Sequence, residues 1–418
     1  MKKEKVLIVF LTIVLSINSI AQNKAEFLQK NRMDLASENF TFPQTDFNII
    51  GFGALHGSAK TYDVELKLMT ALKKQDLLDY YIIEANYSQA FFFQKYLETG
   101  DEDLLKDLVL SFQAIVIQEG TIETFKHWKD LKELNKKYPN NPIKVIGFDI
   151  IYDYKYPIKH LLYLSKSDNN WETRTTLEKL IQNDKINFSI WNKDVSNIME
   201  SFVKDYEKNK EKYQSLISDM ETFDFLINNI KYNFNRTYQN WDREKASFEN
   251  YLYLYSKLNL KTKKQFAKYG YFHIQKNREA KNPSFFTRLI ENNIYDRKKV
   301  ISVMGYLTKS KVLWNKVYDK QGNYKSYATK KGFGISDYCL EYFKGIKLLK
   351  KNKISDMTLF RLNTENSPYH NGTDLVEIKR LLGRSNNKTL KGKNTLQFID
   401  YAVLISNSKE QIPIEEIK

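Results

Sequence analysis

The sequence predicts an α/β fold, with a central, mostly parallel sheet flanked by helices and a helical insertion in the middle of the chain. Three observations support this class. Short segments rich in β-branched and aromatic residues recur, helical patterns lie between the first of them, and the middle of the chain contains no glycine and is rich in Lys, Glu, Leu and Asn. Strands and helices in alternation are typical of parallel sheets with right-handed crossovers.

Six segments are predicted to be strands by their composition. They are Phe47–Ala54, Tyr80–Ala85, Ile143–Ile150, Gln265–Ile274, Lys299–Leu307 and Leu396–Ile405. The first three are near-continuous apolar runs rather than alternations of apolar and polar residues. Strands that are covered on both faces show this pattern, so we expect these three to belong to a parallel sheet.

Apolar residues at helical spacing predict helices over Tyr62–Lys74, Gln89–Leu97 and Thr121–Lys136. From about Pro157 to Leu260 we expect three or four more helices, which would form a lid or cap over the sheet. The pattern therefore indicates one α/β domain over residues 22–418, with this helical insertion at about 157–260.

The composition excludes several classes of protein. The chain has 418 residues and a single cysteine, which leaves no intramolecular disulfide and no Cys-rich zinc site. Its formal net charge of +16 is typical of proteins that bind nucleic acid or anionic membranes. The lysines are scattered, however, and no basic and aromatic nucleic-acid motif is present. We therefore expect a solvated basic surface and no nucleic-acid partner.

The first 21 residues have the three-part layout of a secretory signal peptide. Three lysines precede the apolar run Val6–Leu15, and small residues at Ser19 and Ala21 predict cleavage before Gln22. An uncleaved anchor is the alternative, but the run is shorter than the roughly 20 residues that a spanning helix needs. We expect export to the bacterial periplasm or beyond, without stable membrane insertion.

Polar side chains stand at the ends of four predicted strands. His56 follows the first strand, Glu84 and Asp149 close the next two, and His273 lies at the end of the fourth. Open α/β sheets bind ligands at the carboxyl ends of their strands, so these residues are expected at one edge. Two histidines and two carboxylates there would supply a general base, its orienting partner and an electrophilic stabiliser.

Each of these residues also has a structural alternative when it is taken singly. His56 is suited to capping the following helix, Asp149 to capping a turn, and His273 to a place in the core or at a strand edge. The remaining helical histidines, His127 and His160, are interpreted as surface or packing residues.

The order of several motifs resembles the erythromycin esterase family, which is related in fold to Tiki-type metalloproteases and to haem-uptake ChaN proteins. The matching segments span about residues 45–410 and are Gly51–Gly57, Ile83–Ala85, Trp128–Asn135, Gly147–Asp149, Asp242–Asn250, Tyr271–Lys276 and Phe398–Ile405. The resemblance implies hydrolysis of a small-molecule ester or lactone without a metal or other cofactor. It makes His56 the general base, Glu84 an orienting carboxylate and His273 the histidine of the second motif.

The resemblance also implies assisting or substrate-binding roles for Asp149 and Arg243, and the chain departs from the family pattern at three positions. The family's first-motif glutamate falls on Ala54, its helix arginine on Glu65, and the first histidine of its paired motif on Gly270. We expect Glu65 and Lys67 to assist in place of the arginine.

Two alternatives to the hydrolase follow from these departures. One is a catalytically impaired protein that binds a small, for example haem-like, molecule on the same scaffold. The other is metal-dependent hydrolysis at His56, Glu84 and His273, by analogy with the Tiki relatives.

Overall fold

A computed structural model describes residues 23–113, 116–183, 185–234, 242–279, 281–381, 383 and 385–417. The predicted signal peptide lies outside these residues. The chain divides into two compact units: one contains the residues up to Leu78 together with Lys264–Gln411, and the other contains Asp79–Lys263 together with the C-terminal residues from Ile412. None of the helices in the described part of the chain is both long and apolar enough to cross a membrane.

The strands alternate with helices over the first part of the chain and follow one another closely towards its C-terminus. They are β1 (Arg32–Asp34), β2 (Ile49–Ala54), β3 (Tyr80–Asn86), β4 (Lys144–Asp149), β5 (Gln265–Gly270), β6 (Val300–Thr308), β7 (Lys311–Tyr318), β8 (Tyr324–Lys331), β9 (Asp337–Tyr338), β10 (Glu341–Phe343), β11 (Met357–Arg361), β12 (Ile378–Arg380) and β13 (Tyr401–Ser406).

Residues 23–30 are helical, and the helices that follow them are named in chain order. They are α1 (Ala59–Lys74), α2 (Tyr87–Thr99), α3 (Glu102–Phe112), α4 (Ile122–Lys136), α5 (Lys155–Leu164), α6 (Glu172–Ile181), α7 (Lys193–Lys208), α8 (Lys210–Tyr213), α9 (Met220–Lys231), α10 (Arg243–Lys257), α11 (Phe285–Glu291) and α12 (Ile346–Asn352).

The first unit is built on a sheet with the strand order β1-β11-β13-β6-β2-β5. Strands β13, β6, β2 and β5 are parallel, while β11 is antiparallel to both of its neighbours. Every residue of β2, β6 and β13 is buried. In the second unit β3 and β4 pair in parallel. The predicted fold class, α/β with a mostly parallel sheet, is confirmed.

The helices α5–α9 of the second unit surround a hydrophobic core of their own, in which Trp171 and Met199 are fully buried. Between Lys155 and Lys257 the chain forms more helices than the three or four expected. The reason is local, since Asn192, Asp219 and Asp242 each accept a backbone N–H at a helix start and so divide the segment. The organisation of the mature chain as one domain stays a prediction.

Two predicted strands are too long, and the hairpin of β7 and β8 was not predicted, nor were the short strands β1, β9, β10, β11 and β12. The strand predicted over Gln265–Ile274 ends at Gly270, and the one predicted from Leu396 begins at Tyr401 because a capped 3₁₀ turn precedes it. The hairpin of β7 and β8 carries exposed side chains on both faces, and it therefore lacks the apolar alternation of a half-buried strand.

One face of β2 carries glycines because other side chains occupy the space above it. A Cβ atom on Gly51 would lie 2.5 Å from Cζ of Phe286 and 2.7 Å from Cγ2 of Ile274, and one on Gly53 would lie 2.7 Å from Cγ1 of Ile274. Ile274 and Phe286 are themselves fully buried. The turn after β5 and the helix α11 therefore pack directly on the backbone of β2.

Gly51→Ala should destabilise the protein, because the new methyl group overlaps two fully buried side chains that cannot move away. We expect a loss of about 1–3 kcal/mol in the free energy of unfolding, measured by urea titration. Gly270→Ala is the matched control, since its Cβ would meet only ordinary contacts at 3.4 Å. Equal stability of the two variants would contradict this account of β2.

Candidate active site

His56 lies in a tight turn between β2 and α1. The carbonyl of Gly57 accepts hydrogen bonds of 2.8 Å from the backbone N–H groups of Leu313 and Gln411. Gly57 has φ +94°, and a Cβ there would lie 2.3 Å from the carbonyl oxygen of Leu313. Only glycine fits such a position. The turn therefore holds His56, which is partly exposed, at the carboxyl end of β2.

His273 was predicted at the end of the fourth strand. In the structure β5 ends at Gly270, and His273 lies three residues later, in the turn that follows the strand. Its N–H donates to the carbonyl of Gly270 at 3.2 Å, and its own carbonyl accepts from the N–H of Phe286 at 3.1 Å. The strand ends early because Ile274 turns onto the glycines of β2. The same packing fixes the position of His273.

The two histidines border the same small space beside Gly270. A Cβ atom on Gly270 would lie 3.4 Å from Nε2 of His56 and 3.4 Å from Cδ2 of His273. Because residue 270 is a glycine, this space is free of its own side chain. Two imidazoles this close to one point are placed to bind the same water molecule or small polar group.

The residues expected to replace the family arginine lie on different faces of α1. Glu65 is completely buried, so its carboxylate does not face solvent. Lys67 is exposed and lines a surface hollow with Glu38 and Phe40. Residues two apart on a helix point in nearly opposite directions, and only Glu65 faces the interior of the unit. This placement does not support the assisting role expected for Lys67.

A buried lysine on β5 was not singled out from the sequence. Nζ of Lys268 donates to the hydroxyl of Tyr62 at 3.2 Å, and both side chains are buried. Lys268 precedes Gly270 by two residues, so the two positions share one face of the strand. The sequence did contain a signal for this residue, since a lysine within an otherwise apolar predicted strand is unusual.

In the second unit, Arg243 joins the two carboxylates that close β3 and β4. Its Nη2 donates to Oε1 of Glu84 at 2.7 Å and also to Oδ2 of Asp149, and its Nε donates to Oδ1 of Asp149 at 3.0 Å. The side chains of Glu84 and Asp149 are 4% and 0% exposed. Glu84, Asp149 and Arg243, the three candidate residues in the second unit, therefore form one ion cluster.

The helix α10 presents a polar row to this cluster. Ser247 donates to Oδ1 of Asp149 at 3.1 Å, and the amide of Asn250 donates to the carbonyl of Phe148 at 3.1 Å. Positions 243, 247 and 250 share one helix face, which is the signal that would have added Ser247 to the set. The row fixes the end of β4 against α10.

The positive charge of Arg243 is stabilised by the neighbouring carboxylates. Burial alone would lower the pKa of the guanidinium, but Asp149 and Glu84 outweigh it and raise the pKa above its ordinary value. Among the described residues, no acceptor bonds Nη1 of Arg243, whose side chain is 25% exposed. Arg243 therefore ties two strand ends together and keeps one donor group for a further acceptor.

The remaining helical histidines serve packing. His127 and His160 are both buried. The ring of His160 stacks on Phe91 at a centroid distance of 4.0 Å, and burial lowers its pKa to about 3. His160 is therefore a neutral aromatic ring at physiological pH. Over the described residues, no group of three or more His, Cys, Asp or Glu side chains is arranged to hold a metal ion.

No protein-family model and no curated protein sequence matches the chain. Solved structures do match it. A protein from Bacillus cereus is 14% identical with a TM-score of 0.58, and a succinoglycan biosynthesis protein is 13% identical with a TM-score of 0.59; each match covers 94% of this chain and 99% of the other. A mutant of the erythromycin esterase EreC in its open conformation is 11% identical with a TM-score of 0.55, covering 87% of this chain and 91% of that one.

The chain has an erythromycin esterase-like fold. This fold agrees with the one that the resemblance in the motifs implies. Within this erythromycin esterase-like fold, the departures at Ala54 and Gly270 lie at the ends of β2 and β5, next to the turns that carry His56 and His273. The strands that frame the histidines are intact.

Replacing Arg243 with glutamine should strongly destabilise the second unit, because the cation that binds two buried carboxylates is lost. We expect a loss of about 3–5 kcal/mol at neutral pH, measured by urea unfolding. Arg278→Gln is the matched control, since the Arg278–Glu291 pair is exposed and should contribute less than about 1 kcal/mol. A similar small loss in both variants would show that the Arg243 cluster does not stabilise the fold.

Proposed function

We propose that the chain is a hydrolase for carboxylic esters or lactones, with His56 as the general base. The observation that carries this proposal is the pair of imidazoles, His56 and His273, which both lie within 4 Å of the Cβ position of Gly270. The erythromycin esterase-like fold supports the reaction class, because the EreC neighbour is an esterase. Fold alone does not determine a substrate, so the proposal extends to the ester class and not to a macrolide.

The chemistry begins with a water molecule next to His56. Its neutral imidazole takes a proton as the water oxygen bonds to the ester carbonyl carbon, which gives a tetrahedral oxyanion. The oxyanion collapses, the bond from carbon to the leaving oxygen breaks, and the imidazolium returns its proton to that oxygen. The products are a carboxylic acid and an alcohol, so no oxidant, metal or other cofactor is consumed.

His273 is proposed to orient the water or to hold the developing oxyanion with a ring N–H. Its Cδ2 lies 3.4 Å from the Cβ position of Gly270, as Nε2 of His56 does. The family histidine that falls on Gly270 would fill part of this space with a side chain. In this chain, the pair of His56 and His273 takes the place of the paired histidines of the family motif.

The turnover of esters tests this proposal. Residues 22–418 are purified and assayed with a panel of p-nitrophenyl esters and lactones, and His56→Ala is expected to lower kcat/KM by about 100-fold or more, since a general base contributes about that much. Lys325→Ala is the control, because Lys325 is exposed and lies near the turn of the β7–β8 hairpin. Undiminished turnover in His56→Ala would rule out His56 as the base.

A binding protein on the same scaffold is the second candidate, and Ala54 favours it. The buried Ala54 stands where the family has a glutamate, so one carboxylate is missing at the end of β2. A wild-type chain that hydrolyses none of the esters, but binds a small molecule such as haem in a manner that depends on His56, would select this candidate over the hydrolase.

We also propose that the protein is exported to the periplasm or secreted. The support is the sequence of the first 21 residues, with three lysines, an apolar run and small residues before Gln22. Expression of the full chain in a Gram-negative bacterium, followed by fractionation and N-terminal sequencing, should give a periplasmic protein that begins at Gln22. A cytoplasmic protein that retains Met1 would contradict export.

A further inference from the structure

The first unit contains a basic cavity that the proposed hydrolysis does not use. Its volume is about 570 Å³, which lies within the range of about 300–1,000 Å³ that is usual for small-molecule sites. Its lining includes four cationic side chains, Lys276, Arg297, Lys298 and Arg361, and two carboxylates, Glu365 and Asp400.

The cavity lies at the end of the sheet opposite to His56. Two residues of its lining mark this end: Lys298 lies two residues before β6, and Asp400 lies one residue before β13. His56 follows the carboxyl end of β2, which runs parallel to β6. A strand of six residues spans about 20 Å, so the cavity and the histidine pair are separate sites.

One ion pair forms the base of the cavity and cancels its own charge. Nζ of Lys276 donates to both carboxylate oxygens of Asp400 at 2.8 and 2.9 Å, and both side chains are almost fully buried. Asp400 also accepts the backbone N–H of Ser302 at 2.8 Å. The carboxylate is therefore hydrogen-bonded on both oxygens, and the charge of Lys276 offsets its charge in the lining.

Three further cations then face one carboxylate. Arg297, Lys298 and Arg361 line the cavity together with Glu365, so the lining keeps a positive charge. Nη1 of Arg297 donates to the carbonyl of Lys276 at 2.8 Å, which fixes the guanidinium in the wall. Burial lowers the pKa of Arg297, although Asp400 opposes this. Such a poorly solvated cation is stabilised by an anion nearby.

Arg361 provides the free donor group. Its Nε donates to the amide oxygen of Asn363 at 3.2 Å, and over the described residues no acceptor bonds its two Nη atoms. A guanidinium held through Nε presents its Nη donors in a fixed orientation. Paired N–H donors of this kind bind phosphate, sulfate or carboxylate groups in two-point contacts.

We propose that this cavity binds a small molecule through a compact oxyanion group, with Arg361 as the main contact and Lys298 in support. The cavity is larger than the oxyanion itself, so the rest of the molecule occupies the same space. This site is distinct from the proposed ester site, and it is present whether or not the histidine pair is catalytic.

Calorimetric titration of residues 22–418 tests the site. The probes are inorganic phosphate, sulfate, citrate and glucose 6-phosphate at constant ionic strength, with chloride as the reference anion. Saturable binding of at least one probe at one site per chain is expected. Preference for phosphate and glucose 6-phosphate assigns a phosphoryl group, and preference for citrate assigns a carboxylate.

Arg361→Gln should raise the Kd of the preferred probe by about 10-fold or more, because charge-assisted hydrogen bonds to the probe are lost. Lys298→Gln is the second variant, with an exposed side chain whose loss does not threaten folding. Lys325→Gln on the exposed strand β8 is the control and should keep the wild-type Kd. No saturable binding, or equal Kd values in all variants, would overturn the proposal, and ester turnover is measured on the same samples so that the two sites fail independently.

Discussion

The packing of Ile274 on the bare face of β2 is the contact on which the candidate site depends. Gly51 and Gly53 leave the backbone of this central strand uncovered, and Ile274 and Phe286 fill the space at distances that no Cβ would allow. Close packing of this kind tolerates few changes, because a buried methyl group has nowhere to move. The chain after β5 is thereby forced to turn at Gly270.

This turn decides where the chemistry can take place. It places His273 next to His56, with Gly270 between them. The turn of His56 is held independently, through the carbonyl of Gly57 and its two backbone donors. Two rigid turns on neighbouring parallel strands thus set the geometry of the pair, which is how a preorganised site avoids reorganisation during reaction. The basic cavity lies at the other end of the same sheet, beside the starts of β6 and β13, and the segment after β5 contributes Lys276 to its lining.

The sequence predicted the central strands well because their burial is visible in it. The near-continuous apolar runs over β2, β3 and β4, and the predicted strand at β6, matched the structure to within two residues at each end. The end of β5 was missed since Phe272 and Ile274 continue its apolar pattern, and only tertiary packing turns the chain at Gly270.

Other features of the site had no local signal at all. Glu65 and Lys67 were expected to assist together in place of the family arginine, whereas Glu65 is buried and Lys67 is exposed. Glu84, Asp149 and Arg243 were chosen for their places in motifs, whereas their joint ion cluster rests on contacts between residues far apart in the chain. The hairpin of β7 and β8 was missed because neither of its faces is an apolar face.

The central claim is that Ile274 positions the histidine pair, and the most direct measurement compares two core truncations. Ile274→Ala and Ile301→Ala both remove a fully buried side chain from the first unit, and each should cost about 2–5 kcal/mol in stability. At a temperature where both variants are folded, the account predicts that kcat/KM for the best ester falls at least about 10-fold in Ile274→Ala and stays near the wild-type value in Ile301→Ala. Equal kcat/KM in the two variants would contradict it.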